Sequence, residues 1–268
     1  MKFAPVLLAL ALGLGLANAA DTDTVASSSK PEFNPPRALL HPDPALAARA
    51  SLPNTNAERL ARGLPLKKPR RASPTLQAKR QAPSGSPLTY KSAIRVIDTG
   101  NGNVALGYIG STTNVFGEYG ITPDAANALA VTPPVGSSGP SAIAIPGSFP
   151  FLGGVLGYGS TSPDFALGSY NYAYLGGVHA GSSNQTNSVS AATGYPTLGQ
   201  SAIWTYDTGS GLLAAHWTNT DGSTPATQIV YYMPDNVIAL TGDSSAFGDI
   251  FGDSSRITLQ VVQIPTSL

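Results

Sequence analysis

Few residues in this chain have the types and spacing that chemistry needs. After residue 80 it offers ten carboxylates, three cations and two histidines, His179 and His216. Glycoside hydrolysis takes two carboxyls, and Asp207, Asp221 and Asp235 fall in turn sequences. Glu118 differs from them because Phe116 and Tyr119 flank it, and apolar neighbours of that kind retune a carboxyl. A serine hydrolase is not indicated, since no G-x-S-x-G elbow is present. His216 sits in an alternating run, opposite in facing to Trp217, and reads either as a structural residue or as a site residue.

Two further patterns match known motifs without their context. Residues 100–105 and 209–214 both fit the dinucleotide fingerprint G-x-G-x-x-A. That motif works only between a strand and a helix, whose N-terminus meets the pyrophosphate. Both matches lie between two strand-like runs, so they are hairpin turns, and no cofactor is assigned. Asp243, Asp249 and Asp253 each follow a glycine in one Gly/Ser-rich stretch. Hard cations favour oxygen-rich loops, but this spacing is neither an EF-hand nor a Gly-Asp repeat. The stretch reads as a solvated acidic loop, with no metal assigned.

The aromatic set is the remaining candidate for ligand binding. Trp204, Tyr206 and Trp217 fall on two adjacent alternating runs and could share one face of a hairpin, with Tyr231 and Tyr232 nearby in sequence. Sugars stack on such faces, and the competing reading is that both tryptophans fill a core. Asn184-Gln185-Thr186 is an N-glycosylation sequon in a polar stretch. Three cations in 188 residues argue against nucleic acid as a partner, and none is expected.

Short strands must carry these residues. Residues 92–98 and 103–109 alternate, and Asn101-Gly102 between them is a hairpin signal, because adjacent positive-φ positions suit Asn and Gly. Residues 201–207, 212–218, 226–232, 236–241 and 256–262 continue the period of two. Residues 133–163 are rich in Gly and Pro and read as a long loop with a strand near 141–145. Residues 123–130 read as one helical turn. The fold class is all-β, an antiparallel β-sandwich or jelly-roll-like domain over 81–268.

The chain before that domain is of another kind. Lys2, the apolar run 6–16 and Ala17-Asn18-Ala19 have the layout of a signal peptide over residues 1–20. The apolar run is too short to span a membrane, and the mature form is expected to carry no membrane segment. Residues 21–80 carry eleven Lys/Arg against five Asp/Glu, a formal +6, whereas residues 81–268 carry three against ten, a formal −7. Nine prolines and few large apolar residues make 21–80 a disordered pro-segment by composition. Within it, residues 55–63 have the capping-box spacing Thr55 to Glu58 and a glycine stop. The pair Lys79-Arg80 is a cleavage site for a dibasic processing protease, which needs exposed backbone. The chain has no cysteine, and a domain of this length buries enough surface to hold without disulfides.

Five stretches carry a resemblance: residues 55–65, 116–120, 201–204, 217–223 and 240–243. Together they resemble a group of secreted, β-rich proteins of basidiomycete fungi. The resemblance implies an extracellular location and a β-rich mature domain, and it transfers no active-site residue. The expected function is a secreted, non-enzymatic protein of the cell wall or extracellular surface with a polysaccharide as partner. The alternative is a secreted carbohydrate-active hydrolase using a carboxylate.

Overall fold

The structure is a computed structural model and describes residues 30–37, Leu40 and residues 89–266. The signal-like residues 1–20, the island 55–63 and Lys79-Arg80 lie outside the described residues. Among the described residues no helix is long and apolar enough to cross a membrane.

The best-patterned run in the sequence becomes the spine of the fold. β13 (Ser254–Thr266) pairs antiparallel with β1 (Thr89–Asp98) over ten positions, from Thr89↔Thr266 to Asp98↔Ile257. β1 turns into β2 (Val104–Thr113), with Asp98 Oδ1 accepting from Asn101 N at 3.1 Å. The hairpin forms where Asn-Gly predicts it, but the adjacent positive-φ residues are Gly102 and Asn103, one position later. On its other edge β13 serves two strands. Its start pairs with β11 (Gln228–Tyr232), and Leu259-Gln260 pair with β10 (Leu212–Ala215). β10 pairs in turn with β9 (Trp204–Tyr206).

The sheet continues from β11 through β12 (Val237–Thr241), β6 (Tyr172–Val178) and β5 (Phe151–Leu156). β4 (Ile143–Ala144), β8 (Gly199–Gln200) and β7 (Ser182–Ser183) extend it beyond β5. The first strand in spatial order, β3 (Tyr119–Thr122), pairs with β2, and the adjacent Glu118 bridges to Gly176 of β6. The sheet therefore curls until its β3 edge meets β6, and the all-β antiparallel expectation holds.

The inside of this curl is the main core. Ile94 and Val96 of β1, Ile109 of β2, Leu259 of β13, Leu240 of β12 and Leu175 of β6 meet there with Trp204 and Trp217. The alternating strands contribute every second residue, as a half-buried strand must. β6 and β12 do not alternate, since every residue in both is buried. Their second side chains, Tyr172, Tyr174, Val237 and Ala239, form a second apolar cluster on the opposite face.

Two short helices and a stretch of the N-terminal chain cover that outer face. α1 (Ser188–Thr193) is capped by Asn187 and supplies Val189. α2 (Ser244–Phe251) supplies Phe247 and Phe251. Phe33, 5% exposed, from residues 30–37, packs in the same cluster against Phe247 and Phe251 of α2. One expectation needs correction here. β5 runs through the Gly/Pro-rich stretch 133–163, and residues 151–156 are strand rather than long loop. Residues 30–37, which lie within the segment read from composition as a pro-segment, are packed into an apolar cluster.

Candidate functional site

The residues chosen from sequence for ligand binding go to the core. Trp204 and Trp217 are fully buried. Trp204 Nε1 donates to the Leu152 carbonyl at 2.8 Å, and Trp217 Nε1 donates to the Pro163 carbonyl at 2.8 Å. The Trp217 ring stacks on Phe165, with centroids 4.9 Å apart and planes at 14°. Gly154 makes room for it, because a Cβ there would stand 2.8 Å from Trp217 Cζ3. Tyr206 is half-buried against the same core. The two indole rings present no faces for a sugar, which corrects the ligand-binding assignment of Trp204 and Trp217. The physical reason is that indole supplies the largest apolar area available to fill a domain of this size.

His216 reads as structural: its Nε2 lies 2.9 Å from Thr205 Oγ1 on the paired strand. His179 packs edge-on against Phe149. Asp243 is occupied as the N-cap of α2, its Oδ1 accepting from Ser245 N and Ala246 N and its Oδ2 from Gly168 N. Those backbone donors hold its carboxyl below the ordinary range. Among the described residues no group of three or more potential metal ligands occurs. Asn184 of the sequon is exposed, in the turn between β7 and α1.

Glu118 is the one sequence candidate that the fold gives an unusual environment. Its backbone is held by an Asx turn in which Asn114 Oδ1 accepts from Phe116 N at 2.9 Å and from Glu118 N at 3.1 Å. Gly117, at φ 83°, lets the chain pass against α1, since a Cβ would stand 2.0 Å from the Ser188 carbonyl oxygen. Ser188 Oγ completes the join, donating to the Gly117 carbonyl and accepting from Gly177 N. The Glu118 side chain is fully buried. Oε2 accepts from Asn114 Nδ2 at 2.8 Å and from Asn34 Nδ2 at 3.4 Å, while Oε1 has no partner. Burial pushes the carboxyl up to about 8, and the neighbouring Asp235 adds to the rise. Asn34 Nδ2 also donates to Asp235 Oδ2 at 3.1 Å, so one amide nitrogen bridges two carboxyls.

The residue next to Asn34 fills an aromatic slot beside them. Phe33 stacks on Tyr172 at 4.8 Å and leans on Tyr232 at 4.2 Å. Tyr174, Phe247 and Phe251 meet it edge-on at 5.3, 6.0 and 5.6 Å. The Phe33 carbonyl accepts from the hydroxyls of both Tyr172 and Tyr174. Those hydroxyls accept in turn from Gly159 N and Tyr158 N, each at 3.1 Å. Burial raises both phenols above their ordinary range. No sequence pattern pointed to Phe33, Tyr172 or Tyr174 as a set; the signal available was a lone Phe in a proline-rich stretch.

Three clefts bear on ligands. One of about 200 Å³ is lined by Asn114 and Asp235 at the edge of the Glu118 environment. A larger one, about 560 Å³, lies between β10 and β13 near Arg256 and holds none of the candidate residues. The third, about 510 Å³, is lined by Tyr158, Tyr195, Pro163, Pro196 and Asn184. Its two tyrosine rings meet edge-on at 5.5 Å, and Tyr158 is 41% exposed. A scan against protein-family models, a search of curated proteins and a search of solved structures each find no match to this chain.

Proposed function

We propose that this chain is a secreted, non-enzymatic protein of the cell wall or extracellular surface that binds polysaccharide and is matured by cleavage after Lys79-Arg80. The supporting observation is the cleft of about 510 Å³ with the Tyr158–Tyr195 pair on its wall. Partly exposed rings beside prolines are the surface on which a sugar ring stacks. Asn184 lines the same cleft, so a glycan attached there competes for it. The test is a tyrosine-quenching titration with β-glucan and chitin oligosaccharides, on protein freed of N-glycans. Tyr158→Ala is expected to weaken binding at least ~10-fold, the loss of one stacked ring. Unchanged binding in that variant removes the cleft from consideration. Intact-mass analysis of secreted protein tests the maturation step: a mass that includes residues 72–80 counts against it.

One observation favours the hydrolase reading. Glu118, held near 8 by burial and bridged to Asp235 through Asn34, has the protonation of a general acid beside a second carboxyl. Against it, Asn34 and the surrounding side chains cover Glu118 completely. Release of reducing ends from the same oligosaccharides, abolished in Glu118→Gln, would establish that reading in place of simple binding.

A further inference from the structure

The outer face of β6, β11 and β12 is complete only when residues 30–37 lie on it. Phe33 is the centre of its aromatic cluster, and Pro35 beside it is buried as well. The domain is shaped for the backbone of this segment and not only for its side chains. Two tyrosine hydroxyls converge on the Phe33 carbonyl. Gly159 leaves open the place where the Glu32 carbonyl passes, since a Cβ there would stand 2.4 Å from that oxygen. Both ends are fixed too. Lys30 Nζ donates to the Asp249 carbonyl at 3.2 Å, and the Arg37 guanidinium lies 5.7 Å over the Phe116 ring. Lys30, Glu32, Phe33, Asn34 and Arg37 thus each meet a residue of the domain directly.

We propose that this face is a peptide-binding site whose ligand is the chain's own residues 30–37, and that the domain keeps the segment after the backbone is cut between it and β1. The recognition chemistry is that of an extended peptide with Phe followed by Asn and flanked by prolines. Phe fills the ring cluster, its carbonyl meets the two hydroxyls, and the Asn amide joins Glu118 to Asp235. Prolines 31, 35 and 36 restrict the free segment, so less conformational entropy is lost when it docks. Cleavage at Lys79-Arg80 then yields two associated chains. The basic segment stays with the acidic domain instead of being discarded.

The full chain is cut in vitro with a dibasic-specific protease, or at an engineered protease site replacing residues 76–82. The product is diluted to about 1 µM, and gel-filtration fractions are weighed by mass spectrometry. The expected result is co-elution of the fragment containing residues 30–37 with the domain. Phe33→Ala on the segment and Gly159→Ala on the domain should each weaken retention by roughly 100-fold or more, as loss of a buried Phe or a backbone clash implies. Fluorescence of Trp204 and Trp217, both on the other face of the sheet, verifies that each variant's domain is folded. A parent fragment that elutes alone overturns the proposal, and so do variants that retain it as tightly as the parent. Because the cut is made in vitro, secreted protein that is never cleaved would refute the maturation step without touching this result.

Discussion

The two faces of the sheet formed by β11, β12, β6 and β5 are both buried, and they are buried by different parts of the chain. The inner face is sealed by strands that follow one another between residues 89 and 266, with Trp204, Trp217 and Leu259 at its centre. The outer face is sealed by α1, α2 and a residue 139 positions before Tyr172 in sequence, whose carbonyl that tyrosine's hydroxyl reaches. The inner face is filled mainly by apolar volume, and its two indole N–H groups are met by the Leu152 and Pro163 carbonyls. The outer face also needs specific polar partners, because its tyrosine hydroxyls and Glu118 are taken out of water. The more buried polar groups a face holds, the fewer sequences can satisfy it.

The largest expected difference between the faces is in their response to pH. Glu118 carries its proton up to about 8 in the folded protein, against an ordinary 4.5 when the chain is unfolded. The folded state therefore binds more protons between those values, and stability falls as pH rises through that window. The contribution is fully present below about pH 4.5, is lost progressively up to about pH 8 and is constant above it. Asp235, Tyr172, Tyr174 and Tyr232 are the other titratable groups in its surroundings. A shift of this size corresponds to several kcal/mol. Urea melts of the parent should show that slope, and Glu118→Gln should flatten it. A parent without the slope breaks the claim that this boundary of the outer face is dry.

Trp217→Ala attacks the inner face and should cost about 4 kcal/mol, the range for removing a large aromatic from a core. Phe33→Ala attacks the outer face and should cost about 3 kcal/mol, since the site can relax partly toward solvent. Its signature sharpens the comparison. The tyrosine near-UV circular dichroism should change while tryptophan fluorescence in the native state stays as in the parent, because both tryptophans lie inside the curl. A native-state tryptophan spectrum that shifts in Phe33→Ala would show the two faces to be one packing unit. The smallest effect is Tyr174→Phe, about 1 kcal/mol, since it removes one of two donors to the Phe33 carbonyl and leaves the other. Thermal melts resolve a change of that size.

Legibility from sequence followed the same division. β10 and the centre of β13 alternate because one side meets the core and the other is more exposed, and their positions could be read directly. β5 and β6 could not, because Phe151–Leu156 and Tyr172–Val178 are buried on both sides and give no period of two. The glycines around β5 read as loop. In the fold, Gly154 clears Trp217 and Gly176 lies opposite Glu118. α2 was hidden in the same way: Asp243 looked like one of three loop acids and is the cap of a helix. Glu118 could be singled out from its two aromatic neighbours. That its burial depends in part on Asn34 could not, since 84 residues separate them.

By itself the sequence determined the class of fold, the absence of cysteine and of recognisable catalytic or metal signatures, and the charge boundary at Lys79-Arg80, because these follow from composition and local period. Tertiary structure alone decided that the tryptophans are core, that Glu118 is dry, and that residues 30–37 belong with the domain that follows them. Those outcomes depend on which surfaces meet across separations that run from 52 residues for Trp204 to 141 for Tyr174. Neither propensity nor hydrophobic pattern encodes the meeting of a phenylalanine carbonyl with two distant tyrosine hydroxyls.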